Sequence, residues 1–203
     1  KTLENRIRLF KNSKYSDNNL HTFFQINRKK GWSIRKAWDM LQSISDYDLN
    51  KFIRPVLYRP FDVQWIFYHD SVVWRTVKRV MRHMRHDNLG LITSRQMDKS
   101  GIQPVFMTDS MIDAHSITSA VSISNLSPLY LYPDLDKKGL FSRAKEPGKR
   151  QPNISPKLFT ALAEAYKKEP PPEEIFYYIY AVLYSHIYRT KYAEFLKIDF
   201  PRI

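Results

Sequence analysis

The sequence predicts an α+β fold, with a central mixed β-sheet, flanking amino-terminal helices and a carboxy-terminal helical layer. Apolar residues recur at helical spacing near both ends of the chain, while the middle is rich in β-branched and aromatic residues interrupted by prolines. The chain has 203 residues, of which 43% are hydrophobic, so it is long enough to bury a substantial core.

Three amino-terminal helices are predicted. The apolar face of the first comprises Leu3, Ile7 and Phe10. Residues 13–20 are interpreted as a polar turn. Ser33 is a typical N-cap for the second helix, whose face comprises Ile34, Ala37, Trp38 and Leu41. Ser45 is in position to cap a third helix.

The predicted sheet lies in the middle of the chain. Pro55 and Pro60 punctuate a strand pair suited to a sheet edge, with Asp62 to His69 as the better strand. Short apolar runs within residues 88–96, 104–109 and 119–133 add further strands, which gives a sheet of about five strands.

The carboxy-terminal part is predicted to be helical after a polar surface loop. A first helix carries a stripe of Leu158, Leu162 and Ala165. The next helix has Glu173 and Glu174 in its first turn, where negative charge is favourable. Its packed face is predicted to comprise Ile175, Tyr178, Ile179, Val182 and Leu183. A last helix precedes Pro201. The predicted segments are 1–54 (helical), 55–135 (β-rich recognition core), 136–154 (surface loop) and 155–203 (helical).

Positive charge is concentrated in the amino-terminal half. Residues 1–100 hold 20 Lys or Arg against 9 Asp or Glu, whereas residues 101–203 hold 13 against 11. The stretch "RTVKRVMRHMRH", residues 75–86, has no carboxylate. Wound as a helix, it separates a basic face from an apolar face of Val77, Val80, Met81 and Met84. The basic face comprises Arg75, Lys78, Arg79, Arg82, Arg85 and His86. A surface of this kind favours a polyanion, above all nucleic acid.

The candidate DNA contacts fall into two groups. The candidate phosphate contacts are Arg54, Arg59, Arg75, Lys78, Arg79, Arg82, Arg85 and Lys99. Arg95 and Gln96 are the candidate base-reading pair, because Arg pairs with guanine and Gln with adenine through two hydrogen bonds. Neighbouring strand residues point to opposite faces, so this pair can act together only at a strand end or in a loop.

Several kinds of site find no support in the pattern. The five glycines are too scattered to form a phosphate-binding loop, and there is no cysteine for a disulfide or a thiolate metal site. We expect no bound metal, since His83 and His86 lie among arginines and Asp109, Asp113 and His115 suit structural hydrogen bonds. The absence of cysteine favours a reducing compartment, so we expect a cytoplasmic protein. We expect no membrane span, because the sequence has no run of about 18 apolar residues. The missing initiator Met suggests a segment of a longer protein.

A nuclease is the enzymatic alternative. Asp134, Asp136 and Lys138 superficially match the carboxylate and D-x-K elements of Mg²⁺ nucleases, with Asp113 as a distant carboxylate. Such chemistry needs carboxylates that converge from adjacent strands, whereas Asp134 and Asp136 are predicted to fall in one turn and the D-x-K element lacks a strand. A protein-interaction or anionic-surface module is a third possibility.

Several segments resemble the carboxy-terminal region of single-chain Type ISP restriction-modification proteins and related Type IIG enzymes. They are "RPFDVQWIFYH", "RVMRHM" with "NLGLITSRQ", "FMTDSMIDAHSIT", "SPLYLYP" and "EEIFYYIYAVLYSHIYRTKYAEFLKIDFPRI". The resemblance covers residues 50–135 and 170–203. It implies a domain that recognises duplex DNA and lies beside an adenine methyltransferase domain of the same parent chain.

The same resemblance assigns the catalytic work to other parts of the parent protein. S-adenosylmethionine, ATP and Mg²⁺ are implied for that parent alone, and no cofactor is expected in this chain. Because no methyltransferase, motor or nuclease motif of the family is present, the resemblance transfers no catalytic residue.

Overall fold

A computed structural model of the chain describes residues 2–14, 16–26, 30–95, 104–117, 122–134 and 149–203. Its α-helices are α1 (Thr2–Asn12), α2 (Asp17–Phe23), α3 (Ile34–Ser43), α4 (Lys78–Met81), α5 (Pro156–Tyr166), α6 (Pro172–Tyr184), α7 (His186–Lys191) and α8 (Ala193–Leu196). Two 3-10 helices span Asp46–Phe52 and Arg82–Arg85. The strands are β1 (Ile53–Arg59), β2 (Asp62–Phe67), β3 (Gly90–Ser94), β4 (Phe106–Thr108), β5 (Met111–Ile112), β6 (Ser124–Pro128), β7 (Tyr130–Leu131) and β8 (Gln151–Pro152).

The strands confirm the α+β class but correct the single central sheet. In the described ranges they form three sheets, ordered β2-β1-β5, β4-β3-β6 and β7-β8. Strand β3 pairs antiparallel with both β4 and β6. Pro128 ends β6, because proline has no amide hydrogen with which to continue a ladder. The chain then enters β7, which pairs with β8 instead of joining the sheet of β6.

Two compact units divide the chain: Lys1–Val56 with Val63–Lys78, and Leu57–Asp62 with Arg79–Ile203. The functional boundaries proposed from the sequence stay a prediction.

The first unit encloses a core of helical and strand residues. Its buried members are Phe10, Leu20, Ile34, Leu41, Leu49 and Phe67. As predicted, the Ser33 hydroxyl caps α3 by accepting a hydrogen bond from the Lys36 amide, and Ala37 is buried. Ser45 also caps the next element, which is a 3-10 helix. The predicted polar turn instead contains α2, whose Leu20 is buried in the core.

A charge cluster ties α1 to the first 3-10 helix. Asp46 accepts charge-assisted hydrogen bonds from Arg8 at 2.9 Å and from Lys11 at 2.6 Å. Arg8 also contacts Glu4 at 2.8 Å. The bond from Lys11, reinforced by the charge of Arg8, holds the pKa of Asp46 below its ordinary value although partial burial opposes the shift. The basic residues of α1 are therefore engaged within the fold.

The second unit is built around β3. Ile92 is fully buried and packs with Leu57, Ile112 and Ile117. A second cluster joins Leu129 and Tyr130 of the β7 region to Phe176 of α6. The predicted face of α6 is therefore only partly correct.

On α6, Ile175 and Leu183 are buried as predicted, but Tyr178 is 65% exposed and Phe176 takes the inward position. The predicted stripe of α5 is only partly covered, because Leu158 is 40% exposed. The last predicted helix occurs as α7 and α8.

Candidate nucleic-acid interface

The basic stretch at residues 75–86 does not form the continuous two-faced helix that its spacing predicts. Helix α4 begins at Lys78 and ends at Met81, and a 3-10 turn follows. Val77 has a φ of +46° and is 55% exposed, so it neither continues a helix nor packs inward. A left-handed backbone is a costly conformation for a β-branched residue. The helix is thus interrupted before its first predicted turn is complete.

Two residues of the basic stretch, Arg75 and Lys78, belong to the first unit and have partners there. Lys78 forms an ion pair with Asp70. Burial opposes ionisation of Asp70, but hydrogen bonds from Lys78 and Thr76 bring its pKa below the ordinary value. The Arg75 guanidinium lies 4.3 Å from the centre of the Trp74 ring, as in a cation–π contact.

Neutral hydrogen bonds anchor the rest of the stretch, residues 79–86, which we call the basic turn. The buried Asn88 side chain donates to the carbonyl oxygens of His83 at 3.1 Å and Tyr130 at 2.8 Å. Its Oδ1 accepts from the amides of Leu89 at 2.9 Å and Tyr130 at 3.0 Å. All the hydrogen-bonding capacity of this amide is used, which fixes the basic turn to strand β7.

His83 makes a second attachment to the region of β7. Its Nδ1 accepts a hydrogen bond from the Tyr132 amide at 2.9 Å. Burial, together with the charges of Arg82 and His86, lowers the pKa of His83. The imidazole is therefore neutral at pH 7 and retains its role as an acceptor.

Met84 completes the inward side of the basic turn. It is 5% exposed and packs against Gly90 at the start of β3. A Cβ atom on Gly90 would lie 3.2 Å from Met84 Cε and 2.5 Å from Leu126 Cδ1. The small residue at the start of β3 thus lets the basic turn approach the sheet closely.

The cations of the basic turn differ in their surroundings. Arg79 and Arg85 are exposed, and neither has an ion-pair or hydrogen-bond partner among the described residues. Arg82 is half-buried, with Nη1 2.8 Å from Oδ2 of Asp134. Within the described chain its buried Nε and Nη1 make no hydrogen bond, so this pairing is by charge. Arg79 and Arg85 are the cations of the turn left available to an external anion.

Arg95 directly follows the end of β3, as a base-reading role requires. The preceding Ser94 is fully buried, whereas the Arg95 side chain is 69% exposed. Its Nε lies 3.5 Å from a carboxylate oxygen of Asp199. Gln96 and Lys99, the other predicted contacts in this region, lie outside the described residues.

The remaining predicted phosphate contacts lie on β1. Arg54 is half-buried and donates to the Ile53 carbonyl oxygen at 2.8 Å. Arg59 lies 3.2 Å from Asp113 and stacks at 4.0 Å over the Tyr58 ring. Each is thus partly engaged by neighbouring groups.

The hairpin that joins β1 to β2 ends in a strained aromatic residue. Phe61 is 92% exposed and has a φ of +63°. A left-handed backbone at a residue other than glycine costs about 1–2 kcal/mol. Phe61 is not among the residues predicted from the sequence, although a bulky residue after a turn proline is a recognisable signal.

The carboxylates of the nuclease alternative have other contacts. Asp134 pairs with Arg82, and Asp113 with Arg59 and the His115 amide. Asp136 and Lys138 lie outside the described residues. In the described ranges no cluster of three metal-ligating side chains occurs. None of the helices there is long and apolar enough to cross a bilayer.

Long-range partners were the main features that sequence reasoning missed. No periodicity in the sequence points to Asn88, because its role depends on a hydrogen bond to Tyr130, 42 positions away. Asp134, a carboxylate of the nuclease alternative, instead forms an ion pair with Arg82.

Comparisons with known structures identify the fold. The chain is similar over its whole length to part of a DrdV–DNA complex, with a TM-score of 0.62 and 24% identity. It is similarly matched by the ATP-dependent Type ISP restriction-modification enzyme LlaBIII bound to DNA, with a TM-score of 0.65 and 20% identity. A nuclease-deletion mutant of the Type ISP enzyme LlaGI, in complex with a DNA substrate mimic, gives a TM-score of 0.55 at 23% identity over 99% of the chain.

The chain spans 18%, 12% and 16% of those three proteins, respectively. No curated protein matches it by sequence. Residues 1–203 match the family described as the Type ISP C-terminal specificity domain. The chain therefore belongs to the Type ISP C-terminal specificity domain family.

Proposed function

We propose that this chain recognises a specific sequence in duplex DNA on behalf of a larger restriction-modification protein, and that it is not itself catalytic. The observation that carries the proposal is the match of the whole chain to a specificity-domain family. The unpaired arginines of the basic turn support it independently. The three structural neighbours named above were determined with DNA or a DNA mimic.

The surroundings of each cation determine whether we propose it as a phosphate contact or as a base contact. Arg79 and Arg85 contact phosphates, because they are exposed and have no charged partner in the part of the chain that the structure describes. Arg95 reads a base edge, since it emerges from a buried strand end on a side chain that is 69% exposed and whose contact with Asp199 is long, at 3.5 Å. Gln96 is its proposed companion. Phosphate contacts fix the register, and base contacts supply the specificity.

The other predicted cations take supporting roles. Arg59, Arg82 and Lys78 reach phosphate only by exchanging a carboxylate partner for it. Further proposed phosphate contacts are Arg54, Arg75 and Lys99. Their contribution to affinity is smaller where an existing contact must first be broken.

The parent protein supplies the remaining chemistry in this proposal. A methyltransferase domain of the same chain is the protein partner, and S-adenosylmethionine, ATP and Mg²⁺ act there. The proposed location is the cytoplasm, where the DNA target is found. The sequence-derived segments 1–54, 55–135, 136–154 and 155–203 remain the proposed functional boundaries.

The test is a titration with random-sequence duplex DNA at several salt concentrations, with and without Mg²⁺. Each phosphate contact contributes about 0.9 to the slope of log affinity against log salt. We expect steep salt dependence and intact DNA. Absence of binding at low salt contradicts the proposal, and salt-insensitive binding to a protein favours an interaction module. Cleavage that requires Mg²⁺ supports the nuclease alternative with Asp113, Asp134, Asp136 and Lys138.

A further inference from the structure

The tip of the β1–β2 hairpin carries a side chain that the fold does not favour. Pro60 and Phe61 form the turn, and the Phe61 φ of +63° is the conformation that type II turns normally assign to Gly or Asn. The ring is nevertheless 92% exposed to solvent. Both backbone energy and hydrophobic burial disfavour phenylalanine here, so a role outside folding is indicated.

A neighbouring ring sets the direction of Phe61. The Phe106 ring on β4 lies 5.8 Å from it, centre to centre, at an interplanar angle of 70°. This edge-to-face contact orients the Phe61 ring, and the exposure of 92% leaves nearly all of the ring surface open. Met107, the next residue of β4, is 45% exposed. An oriented ring with open faces is suited to stacking against another flat group.

The charges around the tip favour insertion over phosphate binding. Arg59 stacks at 4.0 Å on the Tyr58 ring and pairs with Asp113 at 3.2 Å. Asp62 adds a further carboxylate directly after Phe61. Since these charges offset one another, the tip is poorly suited to grip the sugar-phosphate backbone. The bases of the same nucleic acid offer the flat, uncharged surface that the ring requires.

We propose that Phe61 is a wedge that stacks between neighbouring base pairs of the bound duplex and partly unstacks them. Apolar side chains used in this way open a base step and kink the helix. The proposal rests on the proposed DNA-binding function and adds a deformation to it. The unpaired arginines provide attraction, and Phe61 selects steps that open easily.

The experiment compares two duplexes of otherwise identical sequence, one fully paired and one with a central mismatch. A mismatch has already lost part of its stacking energy, so it is opened at a lower cost. Affinities of the full chain for both are measured over a range of salt. The variant is Phe61→Asn, because Asn tolerates the left-handed backbone. Tyr47→Asn is the matched control, since Tyr47 is 94% exposed and has no positive φ.

Wild type and Tyr47→Asn are expected to prefer the mismatched duplex roughly tenfold or more. Phe61→Asn is expected to bring that ratio close to one and to keep the salt slope of the paired duplex. Its melting temperature should be unchanged or higher by up to about 4 °C, because backbone strain is relieved.

An unchanged ratio in Phe61→Asn overturns the wedge and leaves DNA binding intact. A lower melting temperature with loss of binding to both duplexes also overturns it, because the ring would then be structural. Failure of the wild type to bind either duplex at low salt instead contradicts the proposed function itself.

Discussion

Arg8 and Lys11 in the first unit and Arg79 and Arg85 in the second are all basic residues near the surface, yet their surroundings differ. Arg8 and Lys11 share Asp46, at distances of 2.9 Å and 2.6 Å. Arg79 and Arg85 have no partner among the described residues, and the basic turn that carries them is held at the His83 carbonyl by the neutral side chain of Asn88.

This difference separates charge used for folding from charge available for binding. A cation that already has a carboxylate must give it up before it contacts phosphate, whereas an unpaired cation on an anchored backbone does not. Net charge alone predicted a polyanionic partner but could not separate these two classes. Ion pairing within the fold separates them, and it leaves Arg79 and Arg85 as the residues proposed to bind phosphate.

Removing the Asn88 side chain, which holds the basic turn, should have the largest effect, and that effect should be on stability. Asn88→Ala leaves four buried backbone and side-chain contacts unmade and should lower the free energy of unfolding by about 2–4 kcal/mol. Urea unfolding measures the loss. Asn125→Ala is the control, because Asn125 is exposed and donates only locally to Ile123; it should change stability by less than about 0.5 kcal/mol. Equal stability of the two variants would contradict the anchoring role.

Arg95→Ala should change sequence preference more than general affinity. A good contact to a base edge discriminates by about 1–3 kcal/mol, so we expect a loss of roughly tenfold in preference at one base position. Selection from a random duplex pool, followed by sequencing, measures it. Arg85→Ala should lower the affinity for all DNA sequences by about the same factor. An unchanged selected site in Arg95→Ala would assign base reading to other residues.

Asp134→Asn should release Arg82 from its ion pair and make it available to DNA phosphate. Arg82 would lose its carboxylate, and we expect DNA affinity to rise about fivefold near 0.1 M salt with a slope steeper by about 1. Glu164→Gln, which removes an exposed carboxylate of α5 that has no ion-pair partner among the described residues, controls for net charge. If both substitutions raise affinity equally, the effect is one of overall charge and not of Arg82.

Asp46→Asn should have the smallest effect, on the stability of the first unit. Because the hydrogen bond from Lys11 lowers the pKa of Asp46 below 3.8, its carboxylate stabilises the fold above that pH. This contribution is lost as pH falls through the lowered pKa. Urea midpoints should therefore be lower for the variant at pH 7 and converge with wild type once the pH is below the lowered pKa of Asp46. A constant difference at both pH values would contradict the linkage.

Local signals made much of the fold predictable. The Ser33 cap, the α1 and α3 faces and the β1–β2 pair follow from spacing over a few residues. The division into three sheets does not, because β5 and β8 have two residues each and depend on distant partners.

The candidate site was predictable in type but not in detail. A run of arginines indicated the chemistry, whereas the left-handed Val77, the Asn88 bonds and the Asp134 pair arise from tertiary structure. This is why Arg82, predicted on the same basic face as Arg79 and Arg85, is proposed in a supporting role.

The most direct measurement is the salt dependence of duplex binding by the Arg79→Ala/Arg85→Ala double variant. We expect affinity to fall by about 30-fold near 0.15 M salt and the slope to decrease by about 2, with unfolding unchanged. Arg35→Ala/Lys36→Ala removes the same charge from α3 and should leave the slope close to wild type. A wild-type slope in the Arg79→Ala/Arg85→Ala variant would contradict the claim that the unpaired arginines of the basic turn bind phosphate.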